Sequence, residues 1–336
     1  MRLGSLLLAA LACDREPPAI PNSVSAEWQD VLRGLDGATD PALPAPDDLR
    51  AWEALQRDRD DAPQPDADAA VARYAPSLRE RTLGGLRALE VTPRGHRDDG
   101  RLVVHLHGGG YAFGSPRESL APIVRFADAT GLRVLSLAYP LAPAAKWTDV
   151  VPAVAAALVA LEAEGQSPAQ VAVFGESAGG GLAAGAVLAL RDEGHALPGA
   201  LVLASPWADL TETGDSYATL RDAERVYRYD AHLRPLAGAY AAPADQKHPW
   251  VSPVYGDFSK GWPPTLIQGG THELFLSNFV RLYQAIEAGG GTATLDLYEG
   301  MPHLFPHLLP DSAESQQALR KARRFLDEHL RGARAR

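Results

Sequence analysis

Ser177 is the residue in this chain best placed to act as a nucleophile. It is the centre of Gly175-Glu176-Ser177-Ala178-Gly179. A Gly-x-Ser-x-Gly pentapeptide between a strand and a helix makes a turn so tight that the flanking residues must be small. The turn strains the serine backbone and presents the hydroxyl at the C-terminal edge of a sheet. A helix starting there offers free N–H groups and a partial positive charge to a developing anion. The surroundings fit: residues 171–174 are apolar, and residues 180–190 are mostly small.

A second motif lies upstream, in His107-Gly108-Gly109-Gly110-Tyr111. Acyl transfer through a tetrahedral intermediate puts negative charge on a carbonyl oxygen. That oxygen needs preformed donors about 2.7–3.1 Å away. Consecutive glycines let backbone N–H groups turn toward it with no Cβ in the way. The N–H groups of Gly108, Gly109 and Ala178 are the expected oxyanion hole. The ring of His107 is expected to brace the loop rather than act as a base.

Serine is a poor nucleophile until a base takes its proton. In this kind of site the order along the chain is Ser, acid, His. Of the ten histidines, His272, His303 and His307 come late enough and lie in suitable loops. His303 follows the apolar run 292–298 directly, so it is the expected base, with His307 as a solvated or lid-contacting residue. The acid orients the imidazole and stabilises its cation. Glu273 is the carboxylate of Gly269-Gly270-Thr271-His272-Glu273-Leu274-Phe275 and is the expected acid. Asp296 is its rival, but a mid-strand position would aim it away.

The elements that position these residues form an alternating series. Strands are expected at 86–91, 101–106, 132–138, 171–174, 200–205, 265–268 and 292–298. Helices are expected at 149–164, 180–191, 277–288 and 313–330. This spacing means βαβ units and a mostly parallel, doubly wound sheet, with the site at the C-terminal ends of the strands. Residues 14–80 are rich in Pro, Asp, Ala and Arg, with amphipathic helices near 26–35 and 47–57. Residues 207–262 are rich in Tyr, Trp, Arg and Pro and contain no clear strand. A long insertion of that kind usually covers a site. The expected layout is a helical cap region at 14–80, a catalytic domain at 81–336 and a second cap piece at 212–247.

Bulk properties narrow the function classes. The 336 residues carry a net charge of −10 and no Lys/Arg cluster, which argues against a nucleic-acid partner. No internal apolar run approaches the roughly 20 residues needed to span a bilayer. The first twelve residues have the layout of a signal peptide, and Cys13 follows as in a bacterial lipobox. That reading predicts export, with membrane attachment through a lipidated Cys13. The alternative is an apolar leader or a mis-assigned start on a cytoplasmic protein.

These motifs together resemble the hormone-sensitive-lipase family of α/β-hydrolases, the bacterial family IV carboxylesterases. The similarity covers about residues 86–332. It rests on the loop 107–111, Tyr139 with Leu141-Ala142-Pro143, and the elbow with Gly180. Ser205-Pro206-Trp207 with Asp209-Leu210, and Gly300-Met301-Pro302-His303, complete it. The resemblance implies an α/β-hydrolase fold, with a helical cap built from the N-terminus and an insertion. It implies hydrolysis of short- to medium-chain carboxylic esters, with small-molecule esters as substrates and no cofactor or metal. Some similar proteins are lactone hydrolases, an amidase would use the same triad, and plant gibberellin receptors use the scaffold without a base. The chain departs from the family in the acid motif, where Glu273, Phe275 and Asn278 stand at positions usually held by Asp, Leu and Asp.

Overall fold

The computed structural model describes residues 20–35 and 43–330. The expected lipidation segment at 1–13 lies outside the described residues. Among the described residues no helix is long and apolar enough to cross a membrane.

An eight-stranded sheet carries the site. In chain order its strands are β1 (Ser77–Leu83), β2 (Leu86–Thr92), β3 (Leu102–Leu106) and β4 (Arg133–Leu137). They continue with β5 (Val171–Glu176), β6 (Ala200–Ala204), β7 (Thr265–Gly270) and β8 (Ala293–Tyr298). The order across the sheet is β1-β2-β4-β3-β5-β6-β7-β8. From β4 to β8 all neighbours are parallel, and β2 runs antiparallel to both β1 and β4. Parallel strands need crossovers, so helices cover both faces. The described helices are α1 (Ala26–Gly34), α2 (Leu49–Asp61), α3 (Pro65–Tyr74), α4 (Leu120–Thr130) and α5 (Trp147–Ala163). They continue with α6 (Ala178–Asp192), α7 (Ser216–Thr219), α8 (Arg234–Tyr240), α9 (Leu276–Ala288), α10 (Phe305–Leu308) and α11 (Ala313–His329).

Alternation along the central strands feeds two cores. Val104, Val173, Leu201, Leu203 and Ile267 point to the face covered by α5, α6 and α9. Val103, Ala172, Phe174, Val202 and Leu266 point to the face covered by α3, α4 and α11. A strand buried on both faces must be apolar throughout, which is why these runs were readable. A third cluster joins Val24, Trp28 and Leu32 to Tyr298, Met301 and Phe305, so α1 packs on the end of β8 and on the loop bearing His303.

Several elements differ from expectation, three of them in the sheet and the helices packed on it. β1 was not foreseen, and it straddles the boundary expected at residue 80. Its residues are mostly exposed and its centre, Arg79-Glu80-Arg81, is charged, as suits an edge strand, so it has no apolar face to read. It pairs with β2 through the two-residue turn Gly84-Gly85, a hairpin signal. Helices α3 and α4 were also not foreseen. They pack against each other on the sheet. The long insertion forms no strand between β6 and β7, in line with its composition.

Candidate active site

Ser177 sits between β5 and α6 with φ 54° and ψ −120°, a conformation that L-residues rarely adopt. The described residues include five non-glycine residues at positive φ. Four of them, Tyr111, Ser177, Ser205 and Leu304, lie in the loops around this site. Backbone strain is therefore concentrated here, as it is at functional sites. The serine backbone is tied down at both ends: its N–H donates to Ala204 O at 2.8 Å, and its carbonyl accepts from Trp207 N at 2.9 Å. The glycine two residues on has a steric cause. A Cβ on Gly179 would lie 2.1 Å from Leu106 O and 2.3 Å from His107 O, so only glycine lets the elbow seat against the end of β3.

That close approach brings the loop 107–111 beside Ser177. A Cβ on Gly108 would stand 3.3 Å from Ser177 Cβ. Gly109 has φ +110°, and a Cβ there would strike Phe113 O at 2.3 Å. The amides of Gly108, Gly109 and Ala178 have no hydrogen-bond acceptor among the described residues. Ala178 is the first residue of α6, so its N–H has no intrahelical partner. The loop is held from behind. The His107 ring stacks on Tyr139 with centroids 4.1 Å apart, its Nδ1 lies 2.8 Å from Gly108 O, and Tyr139 OH donates to His107 O at 2.7 Å. Burial pulls the His107 pKa down to about 4, so its ring is neutral and braces the loop. From above, Gln56 on α2 donates to Ala112 O and Ala142 O, both at 2.8 Å.

His303 Nδ1 lies 2.7 Å from Glu273 Oε2, and both side chains are buried. A carboxylate only accepts hydrogen bonds, so the proton of a neutral imidazole sits on Nδ1. Nε2 then carries the lone pair. Nε2 is buried and has no hydrogen-bond partner among the described residues, so Ser177 Oγ is not bonded to it in this side-chain arrangement. The other Glu273 oxygen accepts from Gly270 N at 2.6 Å and Ser205 Oγ at 2.8 Å, and Ser205 Oγ accepts from Leu304 N at 3.2 Å. Ser205 therefore links the acid loop to the base loop. The His303 ring meets the rings of Tyr227 and Phe275 edge to face, at 5.1 and 5.3 Å.

The rival residues lie elsewhere. Asp296 accepts from Gln268 Nε2 and Tyr298 OH, both at 2.9 Å, and pairs with Lys321, so it faces α11. His307 is not simply solvated or in contact with the lid. Its Nε2 lies 2.7 Å from Glu176 Oε1. Glu176, beside the serine, also meets His105 Nε2 at 3.1 Å. Burial would raise its carboxyl, but His307 and His105 outweigh burial and hold it well below the usual carboxylate range.

Three further residues at the site carried no usable signal. Ser205 belongs to a motif that the sequence marked without assigning it a task. Glu224 and His232 lie in the insertion, where no periodicity points inward. Glu224 is fully buried and accepts from Val226 N at 2.8 Å and Leu274 N at 3.1 Å, the latter next to Glu273. Burial pushes its carboxyl up, nearby Glu273 adds to the rise, and His303 opposes it. Asn278 accepts from Asp209 N at 2.7 Å and donates to Tyr217 OH at 3.1 Å, so it fastens the start of the insertion. A cavity of about 100 Å³ opens at Ser177, with His232 and Arg59 among apolar walls that include Trp207, Leu233 and Leu236. A larger, more polar opening of about 310 Å³ adjoins it at Gly109, Phe113 and Tyr227.

Residues 103–307 match the α/β-hydrolase fold family. An acetyl-hydrolase of Streptomyces hygroscopicus is 39% identical over 245 residues, which are 73% of this chain and 81% of that one. An esterase of Acinetobacter venetianus is 28% identical over 242 residues, 72% of this chain and 79% of that one. The crystal structure of an esterase from the bacterial hormone-sensitive lipase family superposes with a TM-score of 0.78 at 32% identity. The match covers 92% of this chain and all of that one.

Proposed function

The chain belongs to the hormone-sensitive-lipase family of α/β hydrolases and is a carboxylic ester hydrolase, and on that premise we propose that it works through a Ser177–His303–Glu273 triad and an acyl-enzyme. Ser177 Oγ attacks the ester carbonyl as His303 Nε2 takes its proton. Glu273 keeps the imidazole in the Nδ1–H tautomer and stabilises the cation formed. The amides of Gly108, Gly109 and Ala178 receive the oxyanion. The intermediate collapses, Nε2 gives the proton to the departing alcohol, and the acyl group stays on Ser177. Water repeats the sequence and releases the acid.

The observation that carries this reading is the 2.7 Å contact between Glu273 and His303 Nδ1, which leaves a buried Nε2 with an unused lone pair. The proposed contact from Ser177 Oγ to Nε2 is one that forms when substrate is bound, in keeping with catalytic contacts that tighten only then. Substrates are esters of short to medium acyl chains. The cavity of about 100 Å³ at Ser177 and the likeness to an acetyl-hydrolase both favour the short end. The stretches 43–61 and 212–247 act as the cap over the site.

The test is turnover of p-nitrophenyl esters from acetyl to decanoyl by the parent and by Ser177→Ala, with intact-mass detection of a Ser177 adduct from an acyl phosphonate. Ser177-dependent turnover that peaks at or below butyryl supports the reading. Turnover that survives Ser177→Ala removes the mechanism. A preference for lactones or anilides in the same panel reassigns the substrate.

A further inference from the structure

His232 lies in a five-residue π-helical turn, Tyr229–Leu233, inside the insertion between β6 and β7. Such turns are rare and occur often at functional sites. The ring is buried, and its surroundings determine its tautomer. Arg228 N donates to His232 Nδ1 at 2.9 Å, so Nδ1 is the acceptor and the proton of the neutral ring must sit on Nε2. Nε2 has no hydrogen-bond partner among the described residues, and the Tyr227 ring stands edge-on to the imidazole with centroids 6.3 Å apart. His232 lines the same cavity as Ser177. Leu233, Leu236, Trp207 and Phe113 make up much of the rest of the wall; the other side-chain donors there are Arg59, Tyr227 and the indole N–H of Trp207.

We propose that His232 is a specificity-determining residue, whose Nε2–H donates a hydrogen bond to an acceptor atom on the ester bound at Ser177. The favoured substrate class is then a short ester that carries an ether, hydroxyl or carbonyl oxygen a few atoms from the reacting carbonyl, rather than a plain alkyl ester. This rests on the preceding reading of Ser177 as nucleophile. A desolvated donor left unpaired by an all-carbon chain disfavours that chain, and a chain that supplies an acceptor relieves the loss.

Two near-isosteric pairs test it. p-Nitrophenyl methoxyacetate and p-nitrophenyl butyrate differ by one oxygen for one methylene on the acyl side. 2-Methoxyethyl acetate and butyl acetate differ in the same way on the alcohol side. kcat/KM for all four is measured with the parent, His232→Leu and His232→Gln, and comparing each pair across enzymes cancels the intrinsic reactivity of the esters. The expected result in His232→Leu is a fall of about tenfold in the ratio of kcat/KM for the oxygen-bearing member to that for the all-carbon member of one pair, through loss on the first, gain on the second or both. His232→Gln keeps an N–H donor and should retain most of the preference. The affected pair identifies the half of the substrate that faces His232. Equal losses on both members of each pair mean the ring only braces the turn, and overturn the proposal, as does an unchanged ratio. Each ester is also run with Ser177→Ala. Persistent turnover there brings down the serine mechanism and this proposal together, whereas an unchanged His232 ratio with Ser177-dependent turnover brings down this proposal alone.

Discussion

His303 and His232 carry the same imidazole in two regions of the molecule, and their partners give them opposite chemistry. His303 belongs to the sheet body. Its Nδ1 faces a carboxylate, so its Nε2 carries the lone pair. His232 belongs to the insertion. Its Nδ1 faces a backbone amide, so its Nε2 is a donor. The two are also supported differently. Behind His303, Glu273 is held by Gly270 N and Ser205 Oγ, and Ser205 reaches back to Leu304 N, next to the base itself. Behind His232 there is one amide on its own turn. On the proposed mechanism the body sets what reaction occurs. The insertion, a separate piece of chain over the same serine, is suited to fixing which ester undergoes it.

The most direct way to break that division is to remove the reacting groups in the body. Ser177→Ala or His303→Ala should lower kcat by about 10⁵- to 10⁶-fold for every ester tested, and the double variant should lose little more, because the two act as a unit. A loss confined to some esters would merge the two regions into one. Next in size is Glu273→Gln. Its amide nitrogen would present a donor to Nδ1 and favour the wrong tautomer, so kcat should fall about 10³- to 10⁴-fold. Asp296→Asn, by contrast, should leave steady-state kinetics within a factor of two or three, since Asp296 bonds to Gln268, Tyr298 and Lys321. A reversed pattern would reassign the acid.

A smaller effect sharpens the account of support within the body. Ser205→Ala deprives Glu273 of one donor and Leu304 N of its acceptor. It should lower stability by about 1–3 kcal/mol in urea denaturation and kcat by roughly tenfold, with KM little changed. The smallest effect concerns acid. The folded Glu176 carboxyl lies below its unfolded value, so the folded state binds fewer protons there. Its stabilisation is present above the unfolded carboxyl range, near about pH 4.3, and is lost as pH falls toward the folded value. Glu176→Gln should therefore lower Tm at pH 7, and the gap from the parent should narrow on going below about pH 4. A gap independent of pH would mean that Glu176 acts there only as a hydrogen-bond acceptor.

Much of the body could be read residue by residue. Val103–Val104, Val171–Phe174 and Leu201–Leu203 are unbroken apolar runs, because strands covered on both faces leave no side for polar residues. The elbow and the glycine loop were readable because their steric demands are local: a Cβ at Gly179 or Gly109 meets backbone. β1 was missed because an edge strand of Ser-Leu-Arg-Glu-Arg-Thr-Leu has no buried face to impose a pattern. α3 and α4 pack on each other, and their apolar residues could be assigned only once the partner was known. Glu224 and His232 were missed for another reason. They stand in irregular chain, where contacts are made between residues far apart and no period exists to mark the inward side.

The sequence by itself determined the order of the candidate reacting groups, the alternation of strands and helices, and the two glycine-dependent turns. All three depend on short stretches of chain whose sterics and periodicity leave few alternatives. Only the tertiary structure decided which carboxylate meets His303 and that His307 is bound by Glu176. It likewise decided that Ser205 joins two loops and that His232 Nδ1 accepts from Arg228 N, which leaves the proton of the neutral ring on Nε2. Each of these follows from which group lies within about 3 Å of which atom. That proximity is set by packing between segments that are distant along the chain, or, for His232, by a turn that no local rule foretells.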